Sequence, residues 1–515
     1  MGSATDGFSD VLARLKGLDP DRLALMFSAA MLAVFILTMS ISMDDEDSIH
    51  FARALKEYNI MKLQPHPTGF PVYIFFARFL DVFLSELLAL TFLSAALGAL
   101  CVYLVYLLAC ESFGRRTALA ASVIFALMPL VWLTSIKAMS DMPALSLTVL
   151  SMLLLQRHMR TGNAFYIHSG AVMAGIASGI RLHSIFILLP ALIYVAFSGK
   201  AKPRTCALAA ALLIISVLAW LVPMLMVTGV EQYFRAGNVQ ANYLARTPSL
   251  SAINATLTPE YVTARTASFG YHYLLQGLGI DLKAPDASDI ALMLLAGALL
   301  LLSLGGAWPP RRLLDRRVLF FASCLVIYVP VMYMLLPPFS PRYLIITAVP
   351  LAMLIACALS KLPNGKSIRY AALASVVMLL ASHSLPLAAE LRTAHTPPEQ
   401  LASFFRDNYS GAYLIPTSSF INLYMAYNNV RFKVVVRKDC ESLVKLLEGN
   451  ATVLSTSTNA CPGIRSVRVA AFSRSKMVHE KYPEAELFRF SLLPSAPGLK
   501  PNSTAGAGDA SMGAP

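Results

Sequence analysis

Residues 23–42 read LALMFSAAMLAVFILTMSIS, and none of these side chains is charged. The chain continues directly with Met43-Asp44-Asp45-Glu46-Asp47, which places four acidic residues in a row. A helix needs about 20 apolar residues to cross a hydrocarbon core that is about 30 Å thick. This junction therefore predicts a transmembrane helix that leaves the bilayer in a strongly acidic segment.

The composition predicts that this first helix is one of many. Of the 515 residues, 57% are hydrophobic and 14% are charged, and the mean hydropathy is +0.61. Soluble proteins carry about 25% charged residues. We therefore predict an all-α polytopic membrane bundle of about 11 transmembrane helices. The apolar runs that predict them lie at residues 22–42, 85–110, 118–136, 142–157, 164–180, 183–198, 206–228, 288–307, 318–336, 343–360 and 369–387.

The basic residues predict the orientation of this bundle. The net charge is +13, but Lys and Arg occur in short clusters between apolar runs, which argues against a nucleic-acid partner. Connectors on one side contain two to four Lys or Arg each, namely ESFGRRT, QRHMRTGN, SGKAKPRT, PPRRLLDRR and KLPNGKSIR. The short connectors on the other side, SIKAMSD, IRLHS and LPPFSPRY, contain one each. Because positive residues stay on the cytoplasmic side, we expect an inner-membrane protein with a cytoplasmic N-terminus.

This topology divides the chain into parts. Residues 1–21 form a cytoplasmic N-terminus, and residues 22–387 form the transmembrane domain, with external loops at 43–84 and 229–287. In residues 388–491, the strand-like segments AYLIP, FKVVV, TVLSTS and VRVAAF alternate with the helix-like segments SFINLYMAYN and CESLVKLLEG, which predicts a small α/β domain on the extracytoplasmic side.

The C-terminal end of the chain carries two further expectations. The tail at residues 492–515 is rich in Pro, Gly, Ser and Ala, and it is expected to be disordered. Cys440 and Cys461 would be exported with the α/β domain, where a disulfide between them could form. The sequence leaves this pairing open.

An interfacial helix is predicted directly after the acidic segment. Phe51, Leu55 and Tyr58 share one face of a helix over residues 48–58, which would lie at the membrane surface with Asp47 as its N-cap. The helix dipole stabilises carboxylates at such a helix start. Two interpretations stay open: the acids only cap this helix in the headgroup layer, or they belong to a catalytic site.

The segment Pro65-His66-Pro67-Thr68-Gly69-Phe70-Pro71 predicts a rigid corner behind this helix. Its three prolines fix three φ angles, and Gly69 permits a tight bend. A lone histidine is more often structural than functional. His66 is nevertheless pinned between prolines and faces the acids, which favours contact with a ligand.

Together these segments resemble the first loop of the C-type (GT-C) membrane glycosyltransferases. The likeness is to the superfamily of protein O-mannosyltransferases and aminoarabinose transferases, in the bacterial branch that uses polyprenyl-phosphate sugars. There a pattern D-S-x-x-F-A is followed by P-H-P-P-G-Y-P. This chain reads Asp47-Ser48-Ile49-His50-Phe51-Ala52 and later PHPTGFP, and it departs from the pattern at Thr68 and Phe70.

The resemblance implies transfer of a sugar, mannose or similar, from a polyprenyl-phosphate carrier in the membrane lipid to an exported protein, lipid or polysaccharide. An acid of the first loop would be the general base, and we rank Asp47 first, then Asp45 and Asp44. A cation would stabilise the leaving phosphate. The predicted substrate-binding residues are His66, Arg342, Tyr343, Arg181, His183, Asp141 and Lys137. A divalent cation held by Asp47 and Asp141 stays open.

Two other functions compete with sugar transfer. A transporter or flippase of a lipid-linked or anionic substrate is the main alternative, but such proteins place ionisable residues near the bilayer midplane. A non-catalytic assembly partner is the third interpretation, because Thr68 and Phe70 depart from the family pattern. The transferase requires Asp47, His66 and Arg342 to meet in one external cavity that reaches the lipid.

Overall fold

The computed structural model places the chain in two compact units. It describes residues 19–198, 201–247, 251–282, 285–305, 315–362, 366–415, 419–435, 440–458, 461, 463–475 and 483–493. The first unit comprises Met1–Thr396 and Arg474–Pro483, and the second comprises the remainder. Most of the predicted N-terminal segment and of the predicted disordered tail lies outside the described residues.

The first unit is helical, and its N-terminal part follows the predicted apolar runs. Proline opens several of these helices, where its missing N–H would have no partner in any case. The helices are α1 Pro20–Thr38, α2 Glu46–Lys56, α3 Pro71–Asp81, α4 Glu86–Cys110, α5 Arg115–Leu127, α6 Pro129–Ile136, α7 Asp141–Thr161, α8 Ala164–Ile180, α9 Ser184–Phe197 and α10 Pro203–Thr228.

Two local features shape this part of the bundle. The axes of α5 and α6 differ by 61°, because Pro129 cannot continue the hydrogen-bond pattern of α5. The small residues of α8 let α10 approach closely, and a Cβ atom added at Gly175 would overlap Ser216. The packed core includes the fully buried rings of Phe35, Tyr106 and Phe125.

The C-terminal part of the first unit continues with helices and short turns. A 3₁₀ segment, Pro341–Thr347, precedes the helix α16 and carries Arg342. The helices are α11 Val230–Ala245, α12 Pro259–Phe269, α13 Ala287–Gly305, α14 Arg316–Leu325, α15 Tyr328–Leu335, α16 Ala348–Ser360 and α17 Lys366–Thr393.

Helices occur at all the predicted spans, but fewer of them are long and apolar enough to cross a membrane by themselves. In the described part of the chain, six helical segments meet that condition, or seven if the bent pair α5 and α6 counts as one span. α8 and α9 have 17 and 14 residues, fewer than the roughly 20 that a full crossing needs. The chain is an integral membrane protein, and the number of eleven crossings stays a prediction.

The second unit contains a small mixed sheet with helices. Its sheet order is β2-β1-β3-β5-β4, in which β2, β1 and β3 are parallel and β5 is antiparallel to both β3 and β4. The strands are β1 Tyr413–Ile415, β2 Lys433–Val434, β3 Val453–Ser455, β4 Ile464–Ser473 and β5 Glu484–Leu492, and the helices are α18 Pro397–Tyr409, α19 Ser419–Tyr427 and α20 Cys440–Glu448.

Three details of this unit go beyond the sequence pattern. Cys440 and Cys461 form a disulfide whose Cα atoms are 5.5 Å apart. The unit begins at Pro397 rather than at residue 388, because α17 runs on without a break to Thr393. Its first helix, α18, and its last strand, β5, were not predicted individually.

Candidate active site

The acidic segment begins α2, but not at the predicted residue. Asp45 is the N-cap, and its carboxylate accepts a hydrogen bond from the backbone N–H of Asp47 at 3.3 Å. Asp47, the expected N-cap, is the second residue of the helix, because the helix begins two residues earlier than predicted. Both carboxylates therefore stand at the positive end of the helix dipole, which stabilises their ionised form.

Asp44 takes no part in this arrangement. Its Oδ1 lies 2.9 Å from Nη1 of Arg474, and both side chains are fully buried. A carboxylate that is committed to a buried ion pair cannot approach an acceptor hydroxyl. The prediction of Asp44 as a third candidate base is therefore not supported by the geometry.

The proline corner holds its shape through unusual backbone angles. Thr68, Gly69 and Phe70 have φ angles of +99°, +83° and +47°, and α3 begins at the next residue. A Cβ atom at Gly69 would lie 2.6 Å from the Tyr58 hydroxyl, which donates to the Gly69 carbonyl at 2.8 Å. Only glycine fits there, because the tyrosine closes on the backbone.

This corner presents His66 to the acids of α2. The Nδ1 atom of His66 lies 3.6 Å from Oδ1 of Asp47. The imidazole packs on the Phe70 ring, with ring centroids 4.6 Å apart, and it also neighbours the rings of Phe51 at 5.8 Å and His50 at 6.3 Å. These aromatic contacts fix the ring where the sequence predicted it, beside the acidic segment.

Arg342 reaches the same acids from the 3₁₀ segment before α16. Its Nη2 lies 2.7 Å from Oδ2 of Asp47 and 3.5 Å from Oδ2 of Asp45. The guanidinium lies over the ring of Tyr343, 5.1 Å from its centroid. The structure thus brings together the predicted residues Asp45, Asp47, His66, Arg342 and Tyr343.

A second ion pair adjoins the first. Nη1 of Arg181 lies 2.6 Å from Oδ1 of Asp141, and Nε of Arg181 donates to Ser140 Oγ at 2.9 Å. Nη1 of Arg342 lies 4.0 Å from the other oxygen of Asp141. Asp47, Arg342, Asp141 and Arg181 therefore form a row of alternating charges at one end of the helical unit.

Two cavities flank this row. One is lined by Asp141, Arg181, His183 and Tyr328 together with apolar side chains such as Ile345. The other is lined by Asp45, Lys137 and Arg342 together with Leu130 and Leu133. Each predicted substrate-binding residue other than His66 and Tyr343 borders one of them. Both cavities combine apolar walls with fixed charges.

Comparison with known proteins identifies this architecture. The family described as dolichyl-phosphate-mannose-protein mannosyltransferase matches residues 65–226. The structure of ArnT from Cupriavidus metallidurans bound to undecaprenyl phosphate is similar, with 12% identity and a TM-score of 0.51 over 91% of this chain and 97% of that chain. The chain has the GT-C fold of membrane glycosyltransferases.

The oligosaccharyltransferase of Archaeoglobus fulgidus shares the fold. Its apo form is 13% identical, with a TM-score of 0.50 over 85% of this chain and 69% of that chain. Its complex with Zn and sulfate is 15% identical, with a TM-score of 0.50 over 84% of this chain and 68% of that chain. No curated protein matches the chain by sequence. At these identities the likeness establishes the GT-C fold and not the substrate.

The electrostatics of the site around Asp47 depend on its burial and on its charged neighbours. Burial opposes ionisation of Asp47, but the charges of His66, Arg342 and Arg181 outweigh it, so the pKa of Asp47 lies well below its ordinary value. Burial lowers the pKa of His66 and lowers the pKa of His50 to about 4, against the opposing effect of Asp47. His66 acts on Asp47 as a cation only when its imidazole is protonated, which its burial disfavours. Arg342 is therefore the nearest permanent cation to Asp47.

The pair Asp47 and Asp141 does not fit a divalent cation in this GT-C site. Asp47 is paired with Arg342 at 2.7 Å and Asp141 with Arg181 at 2.6 Å, so a metal ion would lie beside two guanidinium groups that repel it.

In the described ranges, three metal-ligand atoms come within 4.8 Å of one another only at Asp286, Asp289 and His383. There the two carboxylates accept hydrogen bonds at the start of α13: Asp286 accepts from the backbone N–H of Asp289 at 2.9 Å, and Asp289 accepts from the backbone N–H of Asp286 at 3.1 Å. This reciprocal capping accounts for both acids.

Sequence reasoning missed two polar residues that support the GT-C site. Ser140 Oγ accepts a hydrogen bond from Nε of Arg181. Its position next to Asp141 in the sequence could have indicated that it belongs to the site. Arg474 pairs with Asp44 across 430 positions of sequence, and no motif surrounds it. The pairing of Arg474 with Asp44 is therefore visible only in the folded chain.

Proposed function

We propose that the protein transfers a sugar from a polyprenyl-phosphate carrier to an acceptor at the extracytoplasmic face of the membrane, with Asp47 as general base. The observation that carries the proposal is the meeting of Asp47, His66 and Arg342 at one end of a GT-C helical unit, with His66 3.6 Å and Arg342 2.7 Å from Asp47. An undecaprenyl-phosphate carrier occupies ArnT, which shares this fold.

The reaction needs a base and a cation close together. The acceptor oxygen forms a bond to the anomeric carbon while the bond from that carbon to the phosphate oxygen breaks. The acceptor proton passes to the Asp47 carboxylate, and the electron pair of the broken bond leaves on the lipid phosphate. Arg342 faces that phosphate and stabilises its growing charge, as fixed cations do in sites that exclude water.

The resting ion pair requires that the donor binds first. A carboxylate paired with Arg342 at 2.7 Å is a weak base, because the pKa of Asp47 lies well below its ordinary value. A lipid phosphate competes with Asp47 for the same guanidinium. As Arg342 turns to the phosphate, Asp47 loses its nearest cation and becomes more basic. Donor binding thus prepares the base for the acceptor.

The remaining predicted residues line cavities that suit a lipid phosphate. Arg181 and His183 line one cavity beside apolar side chains, and Lys137 and Arg342 line the other. A carrier needs both features, since its chain is apolar and its head group is anionic. These residues are therefore proposed to bind the donor head group and the acceptor on the two sides of Arg342.

Two observations support an extracytoplasmic site. Arg115 pairs with Asp19 at 3.2 Å and Arg157 with Glu111 at 3.2 Å, at the ends of α1 and α4 that lie away from the acids. Basic clusters favour the cytoplasmic side, which leaves the acids outside. The Cys440–Cys461 disulfide agrees, because disulfides persist in exported domains.

Sugar transfer by the purified protein tests this proposal. The full chain in lipid nanodiscs is incubated with a panel of polyprenyl-phosphate sugars, and the release of polyprenyl phosphate is measured. Asp47→Asn should lower turnover by about 10²–10⁴-fold. Glu57→Gln is the matched control, because Glu57 is an exposed acid of the same external segment whose carboxylate contacts its neighbours Lys62 and Asn59. Equal turnover in the wild type and Asp47→Asn would refute Asp47 as the base.

The transporter alternative is an outcome of the same experiment. The charges in this site cluster at one end of the helices, whereas a transport site is expected near the midplane. If no donor is turned over but the protein moves a fluorescent polyprenyl-phosphate lipid between leaflets, the flippase explanation replaces sugar transfer. If neither activity is found, the assembly-partner interpretation gains support.

A further inference from the structure

Arg474 belongs to the helical unit although it lies between two strands in sequence. The segment Arg474–Pro483 is part of the first unit, while β4 and β5 on either side belong to the second. The side chain of Arg474 is 0% exposed, as is that of Asp44, and their charged atoms are 2.9 Å apart. Removing two charges from water costs free energy, so the place where a fold buries an ion pair points to a requirement for that pair at that place.

The other side of this guanidinium caps α17. Its Nη2 donates to the Ala394 carbonyl and lies 3.4 Å from the Glu390 carbonyl and 3.5 Å from the Leu391 carbonyl. These carbonyls belong to the last turn of a helix and the residues just after it, where acceptors are left unpaired and where a cation is favoured by the dipole. The backbone N–H of Ser475 also donates to the Glu390 carboxylate at 2.7 Å.

The chain between α1 and α2 is bonded to the same end of α17. Ile41 N–H donates to the Leu391 carbonyl at 3.3 Å. Ser42 Oγ lies 3.1 Å from Nδ1 of His395 and accepts from the Thr396 N–H at 3.2 Å. Asp44 is the last residue of this stretch before the N-cap of α2. Arg474 therefore secures the backbone from which the catalytic carboxylates project.

We propose that Arg474 is a positioning residue of the sugar-transfer site. Its guanidinium ties Asp44 to the end of α17 and so fixes where Asp45 and Asp47 stand relative to Arg342. The inference rests on the proposed function, because the tie acts through the base. It also assigns Asp44 a structural role that no motif indicated.

A purely structural anchor would behave differently. If Arg474 only held its own segment in place, its removal would lower stability and reduce the amount of folded enzyme, while the folded fraction kept the wild-type kcat. If Arg474 positions the base, kcat per folded molecule falls while KM for the donor stays nearly constant, since the donor contacts are untouched.

The experiment compares variants of the full chain in nanodiscs. Arg474→Ala removes the tie, Arg474→Lys keeps the charge without the planar fork, and Asp44→Asn with Arg474→Gln replaces the ion pair by a neutral pair. Arg468→Ala is the matched control, because Arg468 lies on β4 in an exposed pair with Glu486 at 2.9 Å. kcat, KM and amide hydrogen exchange of residues 43–50 are measured for each.

We expect Arg474→Ala to lower kcat by about 10²-fold, the loss typical of a catalytic group that shifts by about 1 Å. In Arg474→Ala, amide hydrogen exchange of residues 43–50 should become faster. A low concentration of guanidinium chloride should restore part of the kcat of this variant, whereas the same concentration of potassium chloride should not. Arg468→Ala should match the wild type. If Arg474→Ala does not fold, the neutral double variant provides the same comparison and should recover exchange protection in residues 43–50.

Unchanged exchange in residues 43–50, or a wild-type kcat per folded molecule, would overturn the positioning role. Failure of the wild type to turn over any donor would instead count against the proposed function. The exchange measurement then still decides whether Arg474 fixes the acidic segment, so the two failures are distinguishable.

Discussion

Nη2 of Arg342 lies 2.7 Å from Oδ2 of Asp47, although 295 positions separate the two residues in sequence. The same guanidinium lies 3.5 Å from Asp45 and 4.0 Å from Asp141. One cation therefore faces three carboxylates, and its removal leaves Asp45 and Asp47 without the guanidinium that they share. This relationship makes Arg342 the first residue to test.

Arg342→Gln should lower kcat by about 10²–10³-fold, because the leaving phosphate loses its cation. Arg342→Lys should fall between Gln and the wild type, since an ammonium keeps the charge but cannot bridge two carboxylates. Without the guanidinium the pKa of Asp47 rises, so the acidic limb of the pH–rate profile should move to higher pH in Arg342→Gln. Lys62→Gln is the control, because Lys62 is exposed in the segment between α2 and α3. An unmoved acidic limb would show that Asp47 is not the titrating base.

Thr68 should accept glycine but not the proline that the resembling family often carries there. Its φ of +99° is far from the value near −65° that proline requires. Thr68→Gly should stabilise the protein by about 1 kcal/mol, because it relieves a strained angle, and should keep activity. Thr68→Pro should lower both stability and turnover, as His66 moves from Asp47. Thermal unfolding and turnover are measured together, and an active, stable Thr68→Pro would contradict this account of the corner.

The amide variants of Asp44 and Asp47 should affect different properties, namely stability for Asp44 and turnover for Asp47. Asp44→Asn breaks a fully buried ion pair and should lower the free energy of unfolding by about 3–5 kcal/mol. Asp47→Asn should leave the apparent melting temperature near that of the wild type while turnover is lost. Thermal unfolding in detergent with a parallel turnover assay separates these roles. Greater destabilisation by Asp47→Asn than by Asp44→Asn would reverse the assignment.

His50 should make the stability of the protein fall on mild acidification. Burial lowers its pKa to about 4 from an ordinary value of 6.5. Below about pH 6.5, His50 is protonated in the unfolded chain but stays neutral in the folded chain until about pH 4. The contribution of neutral His50 to the free energy of unfolding is therefore complete above pH 6.5 and is lost as the pH falls towards 4. His50→Gln should flatten this part of the curve. Melting temperatures between pH 7 and 4 provide the test, and equal slopes would exclude His50 as the cause.

The Cys440–Cys461 disulfide should protect both thiols from alkylation in intact cells. Both cysteines should react with a maleimide only after treatment with a membrane-impermeant reductant, because an exported disulfide is exposed to that reagent. Replacing both by Ser should lower the stability of the second unit by about 3 kcal/mol, through the larger entropy of its unfolded chain. Immediate labelling without reductant would place the unit on the cytoplasmic side.

The sequence by itself determined the periodic and local features of this protein. Uncharged stretches such as residues 23–42 predicted helices, because a span depends only on the apolar character of neighbouring residues. The corner around His66 was readable for the same reason, since proline and glycine act on their own backbone angles. Residues 419–427 and 440–448 of the second unit were likewise predicted as helices and are helices.

Only the tertiary structure decided which partner each of the acids has. Asp44, Asp45 and Asp47 are chemically alike and adjacent, yet one pairs with Arg474, one caps α2 and one faces Arg342. The partners that separate them lie hundreds of positions away, where no local pattern records them. A local pattern fixes backbone conformation, whereas the role of a carboxylate depends on the charges that folding brings beside it.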